Sequence, residues 1–499
     1  MIHKTFRIAI LFLLLATTLL AGCRSNPTEV VSSSPMMDPP PTTAPTLEPT
    51  STPSPTPTPL PLNGQETVYE IDATVDYYNR FITVTSRSRY TNRSNAPINE
   101  MVFVVYPIIF QNAIYMKSVT LGDGTPVTDY SWDMFRMIIP LANPLQPGEQ
   151  IEFVHEFELY MWARGDYGGI FSQNGQQLNL SYWFPMIPPF SETDGWITHD
   201  VNLVNSTFVG EFLVFEPADY TVTLEFSDRR ENFNIAAPAL PEEANGVITY
   251  HLNLARSFTL SVSDIFTVAE REVNGIKIQS FTFNEHSSVA DVVADLAVEA
   301  MTLYTELFGD YDKEVLAIVE FNSDIGMEFD GLVFLSPYFY NLYPGNPQSN
   351  IHVYTAHEIA HQWFFAMVGN DQAEDPWLDE AFATYAEDLF YERYYPEYRD
   401  WHWENYISAH NPYGKIDISI YEGGELTEYR NVVYRNGAVF LKELRETIGD
   451  DAFFSFLKEY VQQYRYDIVT TEDFWTLLRS TTDVDLTALR NEYFSAPAE

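Results

Sequence analysis

The sequence predicts an α+β protein in two parts, an all-β half followed by a half that mixes strands with helices. Three observations carry that expectation. The chain has 499 residues, and the roughly 430 that follow residue 65 are too many for one hydrophobic core, so two domains are expected. Residues 66–270 alternate apolar and polar side chains in aromatic-rich runs at 67–75, 81–90, 101–106, 151–159, 220–226 and 257–262, separated by turn residues. That period of two belongs to half-buried strands. From 271 the pattern changes: a strand at 277–283 precedes a helix entered near Ser287-Ser288 and closed by Gly309, and another strand follows at 315–321. Residues 331–336 read as one more strand. Helical spacing then dominates, with tail helices at 432–448 and 452–464 and a last one entered at Thr470-Thr471-Glu472.

Two segments stand ahead of these halves. Residues 1–22 join a basic start (His3, Lys4, Arg7) to a short apolar run ending in Leu20-Ala21-Gly22, and Cys23 follows. The pattern resembles a bacterial lipoprotein signal, in which cleavage leaves Cys23 as a lipid-modified first residue. The run is short for a spanning helix, and a plain signal peptide or an anchor helix are the alternatives. Cys23 is the only cysteine, so disulfides and thiol chemistry are excluded elsewhere. Residues 23–65 are rich in Pro, Thr and Ser and cannot bury a core. Fully extended at ~3.1 Å per residue, residues 24–62 would hold the rest up to roughly 120 Å from a bilayer. The expected layout is therefore a signal at 1–22, a linker at 23–65, a β-domain at 66–270 and a mixed domain at 271–499.

The chemistry is concentrated at His357-Glu358-Ile359-Ala360-His361, with Glu380 nineteen residues after His361. Histidines four apart project from one face of a helix and can grip one metal ion. Glu358 follows the first histidine, where a carboxylate can act as general base on water at that metal. Three protein ligands, His357, His361 and Glu380, leave a fourth zinc position open, as in catalytic rather than structural sites. H-E-x-x-H alone would arise by chance in about one such chain in a hundred. The surroundings strengthen it. Val353, Ile359, Trp363, Phe364 and Met367 keep helical spacing up to a stop at Gly369-Asn370, and a second helix is expected from an Asp375 N-cap with Pro376 at its first position. Glu380 then falls in its second turn. Glu387, seven residues on and on the same face, can orient a ligating histidine.

Three segments together, His357–Trp363 with the spacing to WLDEAFATYAE, Gly326-Met327-Glu328-Phe329 and Tyr434-Arg435-Asn436-Gly437, resemble the gluzincin aminopeptidases, the family of aminopeptidase N. The resemblance spans roughly residues 66–495. It implies a saddle-like β-domain, a thermolysin-like catalytic domain, one Zn²⁺ per chain, and peptide substrates with a free N-terminus. It gives Glu328 the role of binding the substrate's α-amino group, and Tyr434 that of stabilising the oxyanion, with Tyr429 as the alternative tyrosine. The chain departs from the family where Phe329 replaces Asn and Asn436 replaces Lys. The large C-terminal helical domain of many members is not expected within this sequence, which implies a more open cleft.

Charge narrows the partners. Seventy acidic residues against 27 basic ones give a net charge of −43, which disfavours nucleic acid and anionic lipid headgroups. The expected function is a zinc aminopeptidase, extracytoplasmic and tethered to the membrane by lipid on Cys23. A thermolysin-like zinc endopeptidase and a non-catalytic peptide-binding lipoprotein are the alternatives.

Overall fold

Alternation builds the first half. In the strand Thr67–Asp76 the side chains of Tyr69, Ile71, Ala73 and Val75 point inward, while Glu70, Asp72 and Thr74 face solvent. The computed structural model describes residues 64–161, 169–174, 176–200, 210–228, 233–323 and 326–495; the leader, Cys23 and nearly all of the linker lie outside them. Seven strands form the largest sheet, in the order Pro241–Ala244, Val247–Ala255, Ala218–Phe226, Thr67–Asp76, Phe81–Thr91, Gln150–Tyr160 and Ile114–Leu121. A three-stranded sheet (Ile98–Val104, Arg136–Leu145, Ser131–Asp133), a four-stranded one (Asn234–Ala236, Leu260–Ser263, Gln177–Leu180, Phe171–Asn174) and a two-stranded one (Phe190–Ser191, Gly195–Trp196) belong to this half as well. The strand expected at 101–106 starts earlier and stops at Val104, because the chain turns into a short 3-10 helix, Tyr106–Ile109, around Pro107, which lacks a ladder donor. The one expected at 257–262 is reduced to Leu260–Ser263.

The second half is built on a five-stranded sheet. Its strands are β1 (Phe266–Val273), β2 (Ile276–Phe283), β3 (Val315–Glu320), β4 (Met327–Phe329) and β5 (Leu332–Leu335), in the order β1-β2-β3-β5-β4. β1 and β2 pair antiparallel across Asn274-Gly275, both at positive φ (53° and 82°), the dihedrals that an Asn-Gly hairpin turn adopts at no steric cost. The change of pattern at 270/271 thus falls inside a hairpin. The helix α1 (Ser287–Phe308) packs on β1 and β2 and on the helix α2 (Asn350–Ala360). Next comes α3 (Trp377–Tyr394). The Tyr304 hydroxyl of α1 lies 3.1 Å from the carbonyls of Ala356 on α2 and Ala386 on α3, tying those two helices to one buried point. The expected helix at 432–448 comes in two pieces, a π-helical turn (Asn431–Asn436) and α5 (Gly437–Ile448), and the chain is already helical ahead of them in α4 (Leu426–Arg430). Three further helices follow: α6 (Asp450–Gln463), α7 (Thr471–Thr481) and a short α8 (Thr487–Tyr493) beyond the one expected to be last. Thr470 caps α7 in a capping box with Asp473, a reciprocal pair that satisfies two orphan amides. No helix among the described residues is long and apolar enough to cross a membrane.

Two helix boundaries differ from the expectation for physical reasons. α2 stops at Ala360 instead of running to Gly369-Asn370. The carbonyls beyond it are taken by Arg256, whose Nε donates to Phe365 O (2.8 Å) and Ala366 O (3.2 Å) and whose Nη2 donates to Asp467 O (2.9 Å). Trp363, Phe364 and Met367 are buried from turns rather than from a helix, and Gly369–Asn370 pairs parallel with Ile468–Val469. A Cβ on Gly369 would lie 2.3 Å from the Arg256 guanidinium carbon, so glycine is required there. At the next helix, Asp375 does not cap with its side chain; its Oδ1 accepts from the Thr471 hydroxyl at 2.6 Å. α3 starts at Trp377, which puts Glu380 in the first turn rather than the second.

Candidate active site

α2 and α3 face each other across the metal-ligand candidates. His357 Nε2 and His361 Nε2 are 3.2 Å apart, and Glu380 Oε2 lies 3.3 and 3.5 Å from them. Donors held about 2.1 Å from one tetrahedral ion are about 3.4 Å apart, so the triangle fits a zinc ion. Glu380 Oε2 is buried without a hydrogen-bond donor, an unsatisfied acceptor that a bound cation would satisfy. The outer nitrogens are fixed as a metal site needs. His357 Nδ1 bonds Glu387 Oε1 at 2.7 Å, His361 Nδ1 donates to Phe364 O at 3.0 Å, and Glu387 is held in turn by His402 at 2.8 Å.

Glu358 is buried beside the triangle. Burial pushes its carboxyl up to about 8, the nearby Glu328 adds to the rise and the histidines oppose it; a divalent cation would pull it back down. A Cβ on Gly326 would stand 1.8 Å from Glu358 Oε1, so the glycine of Gly326-Met327-Glu328 makes room for the base. Glu328 itself sits on β4, the edge strand, paired with Val333. Gln372 Nε2 links Glu328 Oε1 (3.1 Å) to Asp379 Oδ2 (2.9 Å). Phe329 turns into the core against Tyr182 and Phe334, and its carbonyl accepts from Gln362.

The π-helical turn places Tyr434. Its hydroxyl donates to Glu380 Oε1 at 2.5 Å, and its ring lies parallel to that of His357 with centroids 6.1 Å apart. π turns widen a helix locally and recur at functional sites. Close approach is allowed by Gly437, where a Cβ would fall 2.3 Å from Ala381 Cβ, one residue past Glu380. Asn436 donates to Gly414 O instead of facing the cleft. Tyr429 is fully buried, its hydroxyl without a partner and its ring 6.0 Å from that of Tyr434.

All of the expected residues within the described region therefore converge: His357, His361, Glu380, Glu358, Glu387, Glu328 and Tyr434 line one pocket of about 130 Å³. Sequence reasoning missed four of its other walls, Glu211, Tyr354, Arg430 and Arg435. Glu211 comes from the β half. An oxygen of Glu211, one of Glu328 and one of Glu380 lie within 4.8 Å of one another. Burial, then the charges of Glu328, Glu380 and Asp379, raise the Glu211 carboxyl well above its ordinary range. No motif surrounds Glu211, and only the packing of the halves brings it here.

A three-ligand metal triangle, a buried carboxylate beside it and a phenol aimed at it make the kind of centre on which zinc-dependent peptide hydrolysis is built. Comparison with known proteins agrees: residues 294–493 match the peptidase family M1 domain. Aminopeptidase M1-D of Oryza sativa subsp. japonica is 27% identical over 223 residues, 41% of this chain and 25% of that protein. Human endoplasmic reticulum aminopeptidase 1 is 25% identical over 300 residues, 55% of this chain and 32% of that one. Aminopeptidase N of Lactobacillus helveticus is 26% identical over 246 residues, 45% of this chain and 29% of that one. The chain thus matches about a quarter to a third of the length of these relatives. An M1 zinc metallopeptidase from Deinococcus radiodurans shares the fold over nearly its whole length, with a TM-score of 0.60 across 87% of this chain and 96% of that one at 19% identity.

Proposed function

We propose that this chain is a zinc aminopeptidase that removes residues from the free N-terminus of peptides outside the cell, tethered by lipid on Cys23. The observation that carries the reading is the place of Glu328. One of its oxygens lies within 4.8 Å of ligand atoms of both Glu358 and His361, so an ammonium paired with Glu328 sits about one residue's length from the reacting carbonyl. A cation in the pocket would relieve the crowding of the Glu211 and Glu328 carboxyls, which burial and neighbouring carboxylates raise.

His357, His361 and Glu380 would hold the zinc, whose charge supplies Lewis acidity toward the scissile carbonyl and toward water. Glu358 accepts the proton of the attacking water and returns it to the leaving amine. The Tyr434 hydroxyl donates to the oxygen on which negative charge develops, a contact stronger in the transition state than in the ground state. Glu387 and His402 hold the His357 ring in place.

Hydrolysis of an aminoacyl-p-nitroanilide, compared with an N-acetylated peptide, tests the reading. Glu328→Ala should lower kcat/KM on free-amine substrates by tens to thousands of fold, roughly what loss of one partner of a desolvated charge pair costs. If the wild-type enzyme cuts acetylated peptides internally as well as it trims free ones, and E328A leaves both rates alone, the endopeptidase reading replaces this one. For the tether, Cys23→Ser should release the protein from the membrane fraction or block its maturation; a wild-type protein that is wholly soluble with unmodified Cys23 contradicts it.

A further inference from the structure

The pocket has a second pole of opposite sign. Arg430 and Arg435 line it together with Tyr354 and Tyr406, and neither arginine forms an ion pair with a carboxylate among the described residues. In a chain with 70 acidic and 27 basic residues, an arginine pair left without an acid needs a reason. The two guanidiniums also sit close enough to oppose each other: burial lowers the Arg435 pKa, and the charge of Arg430 lowers it further. Arg435 is fixed by one bond, Nε to Tyr406 O at 2.9 Å, and its Nη1 is buried with no partner. Glu387, whose charge reaches Arg435, is committed to His357 and His402. Glu425 and Glu428 border an adjoining cavity that Arg435 also walls, and no ion pair joins them to it. A buried guanidinium nitrogen without an acceptor beside a like charge is costly to keep, and an anion between the two would relieve both costs.

The poles lie toward different members of the metal triangle. Glu328 and Gln372 are on the His361 side, where Glu328 and His361 act on each other electrostatically. Tyr354 packs with its ring 6.4 Å from that of His357 and 6.4 Å from that of Tyr406, whose carbonyl holds Arg435. A peptide anchored by its ammonium at Glu328 therefore runs past the metal toward the arginines. Building on the aminopeptidase reading, we infer that Arg430 and Arg435 bind the free C-terminal carboxylate of short peptides, so that the substrate class is di- and tripeptides recognised at both charged ends. Guanidinium groups suit a carboxylate because their paired N–H donors match its two oxygens. A longer peptide, or one ending in an amide, places no carboxylate there.

The test compares Ala-Ala-Ala with its C-terminal amide and with N-acetyl-Ala-Ala-Ala, using zinc-loaded enzyme. Wild type should favour the free acid over the amide by at least about tenfold in kcat/KM, and Arg430→Gln/Arg435→Gln should bring that ratio close to one. Calorimetric titration of Glu358→Gln with the acid and the amide reads the same preference as binding, without turnover. If the double variant does not fold, Arg430→Gln alone, which removes no protein hydrogen bond among the described residues, should still lower the ratio several-fold. Equal kcat/KM and equal affinity for acid and amide in the wild-type background overturn the inference, as does a preference that the double variant leaves intact. The acetylated peptide separates the two readings: its ready hydrolysis sinks the aminopeptidase while the acid-to-amide ratio still reports on the arginines.

Discussion

Gly326→Ala adds one methyl group to a loop and should disable the general base without touching the metal. The added Cβ would stand 1.8 Å from Glu358 Oε1 and 2.6 Å from its Cδ, where real Cβ atoms keep at least 3.0 Å. The carboxylate or the loop must therefore move by about 1.2 Å, the difference between 1.8 and 3.0 Å. Gly326 does not occupy the left-handed region, so no backbone strain adds to the clash. A misplacement of about 1 Å at a reacting group costs about 10²-fold in rate, or about 2.7 kcal/mol of transition-state stabilisation. The expected result is a fall of roughly that size in kcat on an aminoacyl-p-nitroanilide, with zinc content unchanged by metal analysis. Because the effect runs through Glu358, G326A combined with E358Q should be no slower than E358Q alone. A G326A enzyme within about threefold of wild type, or a double variant tenfold slower than E358Q, would refute the reasoning.

Two other predictions follow from the same geometry and from the core. One zinc ion per chain should be lost in His357→Ala/His361→Ala, and chelation should lower the melting temperature of wild type but not of that variant, since a ligand that binds only the folded state stabilises it; a variant that retains stoichiometric zinc rules out the assigned ligands. His155 is fully buried between the rings of Phe103 and Phe153, neither ring nitrogen has a partner, and burial lowers its pKa from 6.5 to about 3. Above pH 6.5 the imidazole is neutral in both states and carries no penalty. As the pH falls toward 3 the unfolded chain takes up a proton that the folded one refuses, and stability drops by about 1.4 kcal/mol per pH unit. His155→Leu should therefore lose about 2 kcal/mol less than wild type in urea unfolding between pH 6 and pH 4, and equal losses would contradict it.

What the sequence disclosed was local. The pair His357 and His361, Glu358, Glu380 and Glu387 were legible because a helix fixes which residues share a face. Thr470 was legible because a cap is written within four residues. What escaped was decided at a distance. Trp363, Phe364 and Met367 keep helical spacing, yet the helix ends at Ala360, and the turns that follow present the carbonyls of Phe365 and Ala366 to an arginine a hundred residues earlier. Tyr434 was found by its motif, but the π-helical turn that aims it depends on Gly437 touching Ala381. Glu211 lay in a stretch without periodicity, and only the tertiary packing delivers it to the pocket.

Arg256 has a consequence for how this protein can be divided. Its side chain closes hydrogen bonds to Phe215 on one side and to Phe365, Ala366 and Asp467 on the other, yet it lies outside residues 294–493, the stretch recognisable as a peptidase domain. A fragment cut at that boundary would leave the carbonyls of Phe365 and Ala366 without the Arg256 donor and would expose the edge of β3 from which β2 had been removed. The stretch that matches the family in sequence is thus smaller than the packed interior behind α2, and the β half supplies part of that interior.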